Sequence, residues 1–373
     1  MKRKFLGIIS ALAISSMISI TSVEASSCAF YQHFDAAQEF LNQGQYSSAI
    51  TEFRKALKIN YMDNSARIGL INSYFARATY YANQEKDFDK SANDFRNALF
   101  YLQMFPTKDQ TIQNSTSMIA SAKENLNQCL KITSFDTTAS SRYKKADELK
   151  ATGNLAAAAY EYSQAAKNEK LTGDANANIA VLMKVLGNIP RSAEYYEIAL
   201  NHRPNDLKLR MEYARTLDKL ELFDDALTQY NHILASSKGD TETLYALDRI
   251  YTTKLAKSPS DAELYANLGA IKQAQGDFES ALSYYGKAEQ INPSNINTRL
   301  NVGTLFQQKK DYSKAIKSYD SVLALYPDNV QANLYKAQAL SEMGDKQEAL
   351  KLLAGKSLII RLVDELNTPI CET

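Results

Sequence analysis

Proline (7) and glycine (13) are scarce in this chain of 373 residues, and histidine and cysteine number three each. The first scarcity removes the residues that interrupt helices, while Ala, Leu, Lys, Gln and Glu recur throughout and lose little freedom in a helix. The three histidines, His33, His202 and His232, are far apart, and none has a Cys, His or carboxylate partner at metal-ligand spacing. No Gly-rich loop ends in Lys-Ser/Thr, and no nucleophile elbow occurs. These absences name no catalytic residue, metal or cofactor and argue against an enzyme. No sustained basic block is present either, which excludes a nucleic-acid footprint.

The chain is too long for one ordinary compact domain and must be divided or be a repeat array. Hydrophobic residues make up 45% and charged residues 23%, enough apolar surface for a continuous core and too little charge for wholesale disorder. Lys2, Arg3 and Lys4 precede an apolar run from Phe5 to Ile20, and small residues lead to Ala25. That order reads as a secretory signal peptide over 1–25, cleaved after Ala25, with an uncleaved anchor as its rival. Cleavage removes three bases and one acid from totals of 43 and 42, leaving a formal charge of −1. A second long apolar segment is absent, so no membrane span is expected after cleavage. Localisation is then periplasmic or secreted, with an N-terminal lipid tether at Cys28 as an alternative.

A period of 34 residues dominates the rest. In 296–329, Gly303 lies in a first apolar helix, Tyr312 opens a second, and Ala315, Tyr319 and Val322 precede Pro327. One period earlier stand Gly269, Phe278, Ala281, Tyr285, Ala288 and Pro293. The stretch 173–206 repeats the pattern with Ala180, Ile189, Ser192, Tyr196, Ala199 and Pro204, and 30–63, 139–172, 207–240 and 330–355 keep the same register. A small residue lets two helices approach, a large one fills the space to the next hairpin, and proline ends the second helix. Each hairpin has an apolar face that only stacking can bury.

This pattern resembles the tetratricopeptide repeat. The resemblance implies an all-α solenoid of helix hairpins, a right-handed superhelix of about eight to nine units including irregular ones. The expected organisation is N-terminal hairpins over 26–132 with an expanded second unit, a linker or kink at 133–138, and an array over 139–355. Residues 241–261 leave room for a single helix, and 356–373 are expected to form a capping helix and tail.

The resemblance also implies a protein partner, held as an extended peptide or helix along the face lined by each unit's first helix. Those helices carry Asn178, Arg215, Asn267 and Asn301, the candidate peptide-binding residues. Asn178, Asn267 and Asn301 occupy the same place in their units, and an amide offers donor and acceptor together to a peptide backbone. Most named tyrosines fall on core positions of the repeat, which favours packing over stacking on sugars. Cys28 and Cys129 form a candidate disulfide, with unpaired thiols or a lipidated Cys28 as alternatives, and the odd count including Cys371 leaves one thiol free. The expected function is a non-catalytic scaffold of the cell envelope or secretion machinery. The alternative is an accessory subunit that grips substrate for a cell-wall or polysaccharide enzyme.

Overall fold

A computed structural model describes residues 27–103 and 113–354. The expected signal peptide at 1–25, the capping helix at 356–373 and Cys371 lie outside the described residues. Among the described residues there are eighteen α-helices and no strand, and no helix is long and apolar enough to cross a membrane. The chain divides into two compact units, one through Leu222 and one from Phe223.

The first unit holds α1 (27–42), α2 (Tyr46–Ile59), α3 (Asn64–Tyr80), α4 (Phe88–Gln103), α5 (Gln113–Ile132), α6 (Ala139–Ala151), α7 (Leu155–Ala165), α8 (Glu169–Val185), α9 (Ile189–His202) and α10 (Leu207–Lys219). Between α3 and α4 the chain makes one π-helical turn, Tyr81–Glu85. This is where the sequence is expanded: a wider turn absorbs extra residues without breaking the helix. The polar stretch 133–138 makes a turn with Ser134 at φ 53°.

Beyond that turn the next hairpin does not simply continue from α5, because α4 packs against both α5 and α7. The contact carries a buried charge cluster. Arg96 of α4 donates to Glu161 of α7 at 2.5 Å, with side-chain exposures of 2% and 0%. Arg142 reaches the other oxygen of Glu161 at 2.8 Å, and the Arg96 guanidinium stands over the Phe135 ring. Charges removed from water so completely are retained only when paired and hydrogen-bonded.

The second unit holds α11 (Phe223–Ser236), α12 (Thr241–Lys257), α13 (Ala262–Ala274), α14 (Phe278–Ile291), α15 (Ile296–Gln308), α16 (Tyr312–Leu325), α17 (Val330–Met343) and α18 (Lys346–Ala354). Residues 241–261 form one helix, α12, which packs between α11 and α13. Three hairpins follow, and first helices α13, α15 and α17 lie side by side.

Local chemistry explains the helix ends. Asp206, Asp240, Asp261, Asn295 and Asn329 cap first helices by accepting a backbone N–H of the first turn, each such cap adding about 1 kcal/mol. The turn inside each hairpin needs one residue at positive φ. Gly276 supplies it at 82°, and Lys310 holds the equivalent place at 61°, where an L side chain is under strain.

The core is a row of tyrosines. Tyr162, Tyr196, Tyr230, Tyr285 and Tyr319 recur at one position of the second helices, each at most 1% exposed. Each ring lies opposite a small residue of the first helix. Ala180 packs with Tyr196, and Gly269 leaves so little room that an added Cβ would sit 2.6 Å from the Tyr285 ring.

Candidate functional site

The four residues named for peptide binding fall in both units. Asn178 (α8) and Arg215 (α10) belong to the first, Asn267 (α13) and Asn301 (α15) to the second. Within the first unit the first helices are tied by charged rungs. The Asn178 carboxamide is used up: its Nδ2 donates to the Tyr143 hydroxyl at 2.9 Å, and its Oδ1 accepts from Lys150 Nζ at 2.8 Å. One unit on, Lys184 reaches Glu212 at 2.9 Å, and Arg215, itself exposed, pairs with the same carboxylate. Burial alone would raise the Glu212 pKa, but the two cations hold it below the usual carboxylate range. Asn178 and Arg215 therefore already have work inside the protein.

The second unit differs. Asn267 and Asn301 are half-buried, and neither carboxamide has a hydrogen-bond partner among the described residues. The rungs around them start from glutamine amides that the sequence pattern did not single out. Gln273 accepts from the buried Tyr285 hydroxyl at 2.8 Å and donates to Gln308 at 2.9 Å on the neighbouring first helix. Gln307 repeats this, accepting from the Tyr319 hydroxyl at 3.0 Å and donating to Glu342 of α17 at 3.0 Å. Burial pushes both phenols far up, so they stay protonated and donate. The 34-residue interval between Gln273 and Gln307 was the available signal. Thr304, Gln307, Gln308, Tyr335, Gln338 and Glu342 line a shallow cleft on this face, and Tyr335 takes the place of Asn267 and Asn301 in the following repeat.

The remaining candidates are placed as follows. Cys28 is exposed on α1 and Cys129 is buried on α5, where it donates to Ser91. Both are free thiols, and the structure does not bring them together as the expected disulfide. Burial of Cys129 among the apolar neighbours of α4 and α5 keeps it out of reach. His33 pairs with Glu52 at 2.7 Å, while His202 and His232 are exposed. No group of three His, Cys, Asp or Glu side chains able to hold a metal occurs among the described residues.

Comparison with known proteins agrees with the repeat. Family profiles described as tetratricopeptide repeat match residues 34–92, 261–328 and 306–355. No curated protein matches the chain. Among solved structures, the MamA protein is 15% identical over 54% of this chain and 98% of its own, with a TM-score of 0.26. MamA from Desulfovibrio magneticus RS-1 is 18% identical over 52% of this chain and 99% of its own, at 0.26. A tetratricopeptide repeat protein from Parabacteroides merdae is 16% identical over 58% of this chain and 78% of its own, at 0.29. Superpositions this partial carry no argument about what this chain binds. The profile matches fall on hairpins whose small-residue and turn positions recur in register, so residues 34–92 and 261–355 match tetratricopeptide repeats.

Proposed function

We propose that the protein is a non-catalytic scaffold that holds an extended segment of a partner protein across first helices α13, α15 and α17. The observation that carries this reading is the pair Asn267 and Asn301. They share one repeat position on neighbouring helices, and their carboxamides have no partner among the described residues. A half-buried amide left unengaged forgoes hydrogen bonds worth about 0.5–1.5 kcal/mol each, which a peptide backbone can supply. The neighbouring rungs fix the spacing of the helices, so the two amides are presented on a rigid surface. Removal of residues 1–25 and a role in the cell envelope or in secretion belong to the same proposal, supported by the basic, apolar and small-residue order of that segment.

The test is a pull-down from envelope extracts of the native host with wild type, N267A/N301A and N178A. A partner is expected with wild type and N178A and lost with the double variant, whose melting temperature should equal that of wild type. Equal recovery by the double variant would place the binding surface elsewhere. The mature N-terminus, read by mass spectrometry, is expected at Ser26; an intact Met1 would end the export part alone.

A further inference from the structure

The first unit contains a cavity of about 140 Å³ that none of the residues above lines. It lies between α2, α3 and α4 on one side and the start of α7 and the end of α8 on the other. Its charged lining is of one sign: Arg54 and Lys58 from α2 and Arg67 from α3, with no carboxylate or amide beside them in the wall. Tyr61 and Tyr101 also line it, and burial pushes the Tyr101 pKa up to about 12. The rest of the wall is apolar and includes Leu57, Leu155 and Val185.

Two of these cations are exposed and one is buried. Arg54 and Lys58 stand four residues apart on one helix, where like charges repel, and neither has an ion-pair partner among the described residues. Arg67 is 5% exposed. Its desolvation lowers the guanidinium pKa, and the Asp63 charge offsets this only in part; Asn64 accepts one of its N–H groups. Three cations with an apolar floor call for an anion that is itself partly apolar. The size narrows it further, because a cavity of roughly 150 Å³ accommodates a group the size of benzene. A hydrated sulfate would leave the leucines unfilled, and a long acyl chain would not fit.

We infer that this cavity binds a small branched monocarboxylate, with the carboxylate between Arg54, Lys58 and Arg67 and the hydrocarbon end against Leu57 and Leu155. Such a group belongs to a free short-chain acid or to the terminus of a peptide ending in an apolar residue. The site is independent of the amide face proposed above for a partner.

The experiment is an NMR titration of the whole protein with 3-methylbutanoate, its amide 3-methylbutanamide, and sulfate. Saturable shifts of the Leu57, Leu155 and Val185 methyls are expected with the acid at millimolar concentration, and binding at least about tenfold weaker with the amide. Arg54→Gln and Lys58→Gln sit at exposed positions, so each should keep the wild-type melting temperature while weakening the acid about tenfold. No saturation by the acid, equal binding of the amide or of sulfate, or unchanged affinity in both variants would overturn the inference. A short peptide ending in valine, compared with its C-terminal amide, separates the two sources. Competition by the peptide acid alone assigns the site to chain termini, and binding of the free acid without such competition assigns it to a small molecule.

Discussion

The two units solve the same stacking problem with different side chains. At the twelfth position of the repeat, the first unit has Lys150 and Lys184, which reach to Asn178 and Glu212 on the next first helix. The second unit has Gln273 and Gln307 there, and these bridge to Gln308 and Glu342 while accepting from a buried tyrosine. A lysine cannot accept a hydrogen bond, and in the first unit the Tyr196 hydroxyl is left without a partner among the described residues. The charged rungs hold their helices, and one of them engages the Asn178 carboxamide. Rungs that start from glutamine satisfy the tyrosine, and the Asn267 and Asn301 carboxamides have no hydrogen-bond partner among the described residues. The same repeat position thus holds one engaged carboxamide, Asn178, and two without a partner among the described residues, Asn267 and Asn301.

The largest expected effect breaks the comparison from the first unit's side. Replacing Glu161 with Gln leaves Arg96 charged and buried without a counter-ion, at a cost of about 3–5 kcal/mol. Hydrogen exchange should show α4, α6 and α7 losing protection while α13–α16 keep theirs. Equal loss in both units would mean that they do not fold as separate bodies.

A smaller effect concerns the small residues facing the tyrosine row. Gly269→Ala restores the residue that the first unit uses at 180, yet its Cβ would meet Tyr285, a ring with almost no exposure. Overpacking costs about 1–3 kcal/mol, against about 0.5–1 kcal/mol gained by removing glycine from a helix. A net loss of about 1 kcal/mol is expected in urea denaturation. A net gain would show that the helices of the second unit can spread to the spacing of the first.

The smallest effect is local and depends on pH. Second helices α14 and α16 are capped by Asp277 and Asp311, α9 by Asn188. Hydrogen bonds from the Ser280 side chain and backbone, and from the Lys314 side chain and backbone, hold the two carboxyls below the usual carboxylate range. A carboxyl with a depressed folded pKa contributes stability above its unfolded value of about 3.9 and loses it as pH falls through the folded one. Below about pH 4, exchange at the Ser280 and Lys314 amides, corrected for intrinsic rates, should therefore accelerate, while that of Arg191 behind Asn188 should not. Equal behaviour at all three would remove the carboxylates from the account.

Much of this was legible in the residues, for a physical reason. Small residues, tyrosines and turn glycines recur because each hairpin meets only its neighbours, so the same packing demand returns every period. The position of the tyrosines followed from that demand, and the 21 residues left over at 241–261 left room for a single helix. The expanded unit was legible as extra length, but not as a π-helical turn, since the added residues do not say where the helix widens.

What the chain could not declare was pairing at a distance. Asn178, Asn267 and Asn301 share a repeat position and were indistinguishable in sequence. Only the tertiary structure separates them, because Tyr143 and Lys150 hydrogen-bond the first and no described residue hydrogen-bonds the carboxamides of the others. Cys28 and Cys129 shared a segment and suggested a bridge, whereas the fold buries one thiol and exposes the other. Arg96 and Glu161 stand 65 residues apart, and only the packing of α4 against α7 joins them. Sequence period determines which residues face the core, since that follows from helix geometry within each hairpin. The partner of a polar side chain is decided by whichever helix arrives beside it, and that is a property of the assembled fold.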